Sequence, residues 1–135
     1  MTTTLLMRIA AVISLLFTVG HTLGGLKKWS PMGDNEVLKA MSAVRFDTMG
    51  TSRSYLELYM GFGWSLSVTL LLQSALMWQI GSLARSDAVQ ARPMIAMLAV
   101  ATLASGLIAW RFIFPVPAAF SAVLLIVLMA AYMKA

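Results

Sequence analysis

The sequence predicts an all-α integral membrane protein, a four-helix antiparallel bundle with an amphipathic helix in its first long loop. Three observations carry this. Hydrophobic residues make up 60% of the chain and charged residues 11%, which leaves more apolar surface than a water-soluble domain of this size can hide. Four apolar stretches approach or exceed the about 20 residues a helix needs to cross a hydrocarbon core. With their connections they use up residues 1–135 as a single transmembrane domain. The ten Lys and Arg residues stand singly, or once as a pair, around the ends of those stretches, where charge meets lipid headgroups.

The same composition excludes several classes of function. The formal charge of +5 is not gathered into a basic face with interleaved aromatic residues, so nucleic acid is excluded as a partner. The absence of cysteine rules out disulfides, thiol chemistry and Cys-based metal sites. One histidine falls short of a zinc ligand set, and haem on two axial histidines would need two copies of the chain. There is no nucleophile elbow, phosphate loop or metalloprotease motif. No metal and no cofactor is expected.

The first span is read from Thr4 to Leu26. Arg8 followed by an apolar run is reminiscent of a signal peptide, but no Ala-x-Ala cleavage site follows, and the segment is read as retained. Gly24 and Gly25 close the helix, Lys27 and Lys28 meet its negative end, and Trp29 and Pro31 mark the interface. An amphipathic helix is expected over 34–48, with Asp34 as its cap, Val37, Leu38, Met41 and Val44 on one side, and Gly50-Thr51-Ser52 as its break. The second span runs from Tyr55 to Ile80, and Gly81-Ser82 turns the chain. Pro93 opens the third span, which ends at Phe114. Pro115-Val116-Pro117 makes a reversal, and the fourth span covers Ala118 to Met133. Cations number six on the long-loop side and four on the terminal side, but four and four once Arg53 and Arg111 are assigned to a site. Orientation therefore stays open. Small residues at four-residue spacing (Gly20 and Gly24, Gly61 and Ser65, Ala101, Ser105 and Ala109) mark packing seams, within the bundle or between copies of a homo-oligomer.

Ionisable groups are costly inside spans and by default indicate a site. An antiparallel arrangement gathers His21, Arg53, Tyr55, Glu57, Tyr59, Trp64, Trp110 and Arg111 at the long-loop face, where Trp64, Tyr59 and Phe62 would wall a pocket. Glu57, Gly61, Trp64 and Val68 share a helical stripe, so the carboxylate would stand over a gap left by Gly61 with an indole as its wall. The spacing of Ser54 and Glu57 is equally that of a capping box. His21 reads either as the acid-base partner of Glu57 or as a cap on the last carbonyls of its helix. Arg53 and Arg111 form the rim or hold lipid phosphates, and the tyrosines and tryptophans double as interfacial belt residues.

Gly20-His21-Thr22-Leu23-Gly24, with Arg53-Ser54-Tyr55 leading into Gly61-Phe62-Gly63, resembles the marks of small bacterial four-span membrane proteins. The chain is similar in layout to the DoxX-like group and, more distantly, to the emopamil-binding and sterol-isomerase superfamily. The resemblance implies a place in a bacterial inner membrane and an intramembrane pocket in which a histidine and acidic residues move protons on a lipophilic ligand. In this sequence His21 and Glu57 would take those catalytic parts, with Arg53, Tyr55, Tyr59, Phe62, Trp64, Trp110 and Arg111 contacting the ligand. The expected function is binding of a lipid or lipophilic small molecule, with isomerase-like acid-base chemistry on an isoprenoid-like substrate if the protein is an enzyme. The rival reading is an accessory protein packing on a partner through its small-residue seams. A transporter ranks third, since Gln73 is the only amide deep in span two.

Overall fold

The computed structural model describes residues 1–135. Four helices are long and apolar enough to cross a membrane: α1 (Thr3–Gly25), α3 (Tyr55–Ser86), α4 (Ala88–Phe112) and α5 (Pro115–Lys134). A fifth, α2 (Glu36–Ala43), lies in the first long loop, followed by a hairpin of β1 (Arg45–Thr48) and β2 (Thr51–Ser54). The sequence's expectation of four helices of span length, with a shorter helix in the first long loop, stands, and the hairpin is an addition to it.

The boundaries differ from expectation wherever packing or capping outweighs a local breaker. α3 continues through Gly81-Ser82 for 32 residues, about 48 Å at 1.5 Å per residue against a core of about 30 Å. Gly81 does not turn the chain because its bare backbone lies against Met7 and the Thr4 carbonyl, and Ser82 Oγ accepts a 2.8 Å bond from Arg8 Nη2. Asp87 alone separates α3 from α4, its carboxylate accepting the Gln90 N–H at 2.9 Å as an N-cap. Pro93 is therefore inside α4, not at its start. Pro115 and Pro117 are not a reversal: they stand in the first turn of α5, where a missing N–H leaves nothing unsatisfied.

The loop carries two further corrections. Asn35 caps α2, accepting from the N–H groups of Val37 (2.9 Å) and Leu38 (3.1 Å), while Asp34 instead pairs with Lys28 Nζ at 2.7 Å. The helix ends at Ala43, not at residue 48, because the chain turns extended at Val44 and pairs Arg45 with Ser54 through Thr48 with Thr51. Met49 and Gly50 both adopt positive φ, 51° and 76°, as a two-residue type I′ hairpin turn demands.

The chain divides into two units. The first comprises residues 1–17 and 70–135. Its core joins Met7, Ala10 and Ala11 of α1 with Met77 and Ile80 of α3, Ala91, Ile95 and Ala99 of α4, and Leu124, Leu128 and Ala131 of α5. Alanines dominate because lipid offers no hydrophobic drive between helices, and close backbone approach supplies the attraction in its place. The contacts run antiparallel: Ser74 Oγ donates to the Ala11 carbonyl at 2.8 Å while Ser82 meets Arg8, and Gly106 meets Ser121 while Arg92 lies over Tyr132. The second unit comprises residues 18–69 and holds the end of α1, the long loop, α2, the hairpin and the first half of α3.

A Cβ on Gly106 would stand 3.0 Å from Ser121 Cβ, whereas one on Gly20 would meet nothing within 4 Å. Gly106→Leu is expected to lower stability by about 1–3 kcal/mol through overpacking. Gly20→Ala should leave it unchanged or raise it by up to about 1 kcal/mol. Thermal unfolding in detergent compares the two.

Candidate functional site

The side chains that meet in the second unit are organised by Trp29. After α1 the Gly24 carbonyl accepts from Lys27 N–H (3.0 Å) and again from Trp29 N–H (2.9 Å), and the Gly25 carbonyl accepts from Lys28 N–H (2.9 Å). This wraps the chain back over the helix end. Lys28 and Trp29 are both left-handed, at φ 53° and 48°, a conformation costing a bulky L-residue about 1–2 kcal/mol. The return is a seated indole. Its Nε1 donates to the His21 carbonyl at 2.7 Å, and its ring meets the edges of Trp64 (centroids 5.1 Å apart) and Tyr59 (6.4 Å) and the tilted His21 ring (5.2 Å). The Tyr59 hydroxyl donates to the Trp29 carbonyl at 3.3 Å.

Glycine makes the seat. A Cβ on Gly63 would run into the Trp29 ring, and one on Gly25 would stand 2.8 Å from both Trp29 and Trp64. The space the sequence assigned to Gly61 is open, with no atom within 4 Å of a Cβ there. It is Gly63, two residues on, that receives an indole.

His21 Nδ1 lies 3.0 Å from Ser67 Oγ, and that serine is buried, with its hydroxyl 3.4 Å from the Gly63 carbonyl. A hydroxyl carries one proton. If Ser67 donates to Gly63 it accepts from an Nδ1–H tautomer of His21. If Nδ1 is bare, Ser67 turns its proton to the imidazole.

Glu57 is engaged elsewhere. Its Oε2 accepts the Ser54 N–H at 2.6 Å, its own N–H donates to Ser54 Oγ at 3.1 Å, and Arg45 Nη1 stands 3.4 Å from the same Oε2. This is the capping box, with a cation added by the hairpin. Ser67, the partner of His21, is ten residues beyond Glu57, about 15 Å along α3. The structure therefore forms two polar centres, His21 with Ser67 and Glu57 with Ser54 and Arg45, and no His21–Glu57 pair. Arg53 donates to its neighbour's carbonyl at Ser52 and stands opposite Phe46 in the hairpin, so that Arg45, not Arg53, meets Glu57. Tyr55 packs on Phe46, with centroids 5.1 Å apart, and Phe62 is exposed. Trp110 and Arg111 belong to the first unit; Trp110 is exposed and the Arg111 guanidinium lies 5.2 Å from the Phe112 ring.

No protein-family model, curated protein or solved structure matches the chain. The arrangement is thus interpreted on its own chemistry. Ser67, Arg45 and the anchoring role of Trp29 are the features sequence reasoning missed. Ser67 had a detectable signal, since it is the only hydroxyl one helical turn beyond Gly63 on the same face. An open cleft of about 420 Å³ lies in the loop region, lined by residues that include Lys28, Asp34, Asn35, Leu38, Lys39 and Leu56; His21, Ser67 and Trp64 do not line it.

Two outcomes follow. Gly63→Ala should unseat Trp29 and lower stability by about 1–3 kcal/mol, and in a Trp29→Ala background it should cost less than half as much, the non-additivity that a shared contact produces. A double-mutant cycle on thermal unfolding measures this. Asp34 is held below the ordinary carboxylate range, first by the hydrogen bond from Lys28, then by the charge of Lys28 and, more weakly, of Lys39. A lowered carboxyl stabilises the fold above its unfolded pKa, and that contribution fades as pH falls through the lowered value. Carbon NMR of the Asp34 carboxyl should show titration below about 3.9, returning toward it in Lys28→Gln.

Proposed function

We propose that the protein is a membrane-embedded receptor for a lipophilic molecule carrying one polar group. The hydrophobic part lies along Phe62 and Trp64, and the polar group is recognised at His21 and Ser67 beneath the Trp29 and Tyr59 rings. The observation that carries this reading is the His21–Ser67 pair at 3.0 Å, formed between two helices of span length. An ionisable side chain paired between helices of span length is costly and by default indicates a site. The left-handed Trp29 beside them supports the same reading, since backbone strain gathers at functional sites.

Binding is favoured over proton-shuttling isomerisation. The isomerase reading needs His21 and Glu57 to act on one substrate, and the capping box holds Glu57 about 15 Å away along α3. Arg53 and Arg111 act as headgroup contacts on this view. An accessory role is the second reading. It draws on Gly20 and Gly61, which face open space, and on exposed Ser65, Ala101 and Ser105, all free to accept a partner helix.

Native mass spectrometry from mild detergent separates the two. A co-purifying molecule of fixed mass is expected on the wild type and on Glu57→Gln, and its occupancy should fall about tenfold in His21→Ala and in Ser67→Ala, the effect of one buried hydrogen bond. Heterogeneous, loosely held lipid on all four forms would replace the receptor reading with the accessory one.

A further inference from the structure

The first unit contains a place where charge has been left without ion-pair partners. The start of α1 and the ends of α3 and α5 surround an open cleft of about 570 Å³, lined by Met1, Thr2, Thr3, Thr4, Ala84, Arg85 and Lys134. Arg85 and Lys134 come from different helices and neither has an acidic partner, for the three ion pairs of the chain, Lys28–Asp34, Lys39–Glu36 and Arg45–Glu57, all lie in the second unit. Of the five acids in the sequence only Asp87 falls in the first unit, and its carboxylate is taken by the Gln90 N–H at 2.9 Å. Against it stand Arg8, Arg85, Arg92, Arg111 and Lys134. One turn beyond Thr4, Arg8 donates to Ser82 Oγ and stacks 3.6 Å above the Trp78 ring, leaving its Nη1 buried with no partner.

We infer that this cleft binds a phosphate-type oxyanion, supplied by a phospholipid headgroup or by a soluble phosphomonoester. Three features select that chemistry. Two cations on separate helices match a group with charge spread over several oxygens, and a guanidinium fork meets two of those oxygens at once. The threonine hydroxyls add neutral donors; Thr2 Oγ1 accepts from the Leu5 N–H at 3.2 Å and keeps its own proton to donate. The volume exceeds that of a bare ion and admits the glycerol-sized body of a headgroup. The 23-residue α1, which has no acid in its first turn, starts at the same end, and the positive end of its dipole reinforces the preference for an anion.

The test uses the full chain in a phosphate-free maltoside detergent, titrated separately with phosphatidylglycerol micelles and with glycerol phosphate and followed by the shift in unfolding temperature. Saturable stabilisation by at least one probe is expected. Arg85→Gln and Lys134→Gln should each weaken it roughly fivefold, the worth of one surface cation against an anionic headgroup, while Arg45→Gln in the hairpin leaves it unchanged. Both substituted side chains are exposed, and unaltered unfolding without probe confirms that the fold persists. A response to phosphatidylglycerol alone assigns a lipid headgroup, and a response to glycerol phosphate assigns a soluble ligand. No response from either, or equal affinity in the Arg85→Gln/Lys134→Gln double variant, overturns the inference.

Discussion

The indole of Trp29 set into the backbone notch at Gly25 and Gly63 is the contact on which the second unit depends. It ends α1 by drawing the chain into a left-handed wrap, ties that wrap to His21 through Nε1, and gives Tyr59 and Trp64 of α3 a ring to pack against. Each of these needs the others. Without the seat there is no reason for two consecutive non-glycine residues at positive φ, and without the wrap the indole would point into headgroups as an ordinary belt residue.

The first unit solves a different problem. Its helices meet through alanine and a few hydroxyl–carbonyl bonds such as Ser74 to Ala11, so that van der Waals contact at short range replaces a hydrophobic force that lipid cannot provide. Three of its five cations lie against aromatic faces, Arg8 over Trp78, Arg92 over Tyr132 and Arg111 by Phe112. A π-face orients a guanidinium without neutralising it. The two units thus differ in how charge is handled, by ion pairs and a capping box in the loop-bearing unit and by ring stacking in the other.

The existence and type of the four long helices were legible because hydropathy over some twenty residues is a strong signal that no local breaker can cancel. Their ends were not. Gly81-Ser82 reads as a turn until Met7 and Arg8 are seen packed across it, and Pro93 reads as a helix start until Asp87 is seen to cap the chain earlier. The hairpin was hidden because its turn is Met49-Gly50, without the Asn or Asp that normally announces a type I′ turn, and because its strands are four residues long. At the site, the capping box was readable from spacing alone, since it is local. The His21–Ser67 contact joins residues 46 apart, and although its spacing from Gly63 places Ser67 on the indole's face, nothing local tells it from Ser65 and Thr69 as the partner of a distant histidine.

The junction of α3 and α4 has a mechanical meaning. Two helices of 32 and 25 residues are joined through Asp87 alone, and that residue is itself fixed as a cap. Such a joint contains no slack. Beyond it, α4 is laid against α5 from Arg92 over Tyr132 to Gly106 over Ser121. The Ile113–Phe114 link between α4 and α5 is only two residues long. Within the first unit, from Leu70 to Lys134, three helices therefore follow one another on joints of one and two residues, which leave little chain to absorb a shift of one helix against the next.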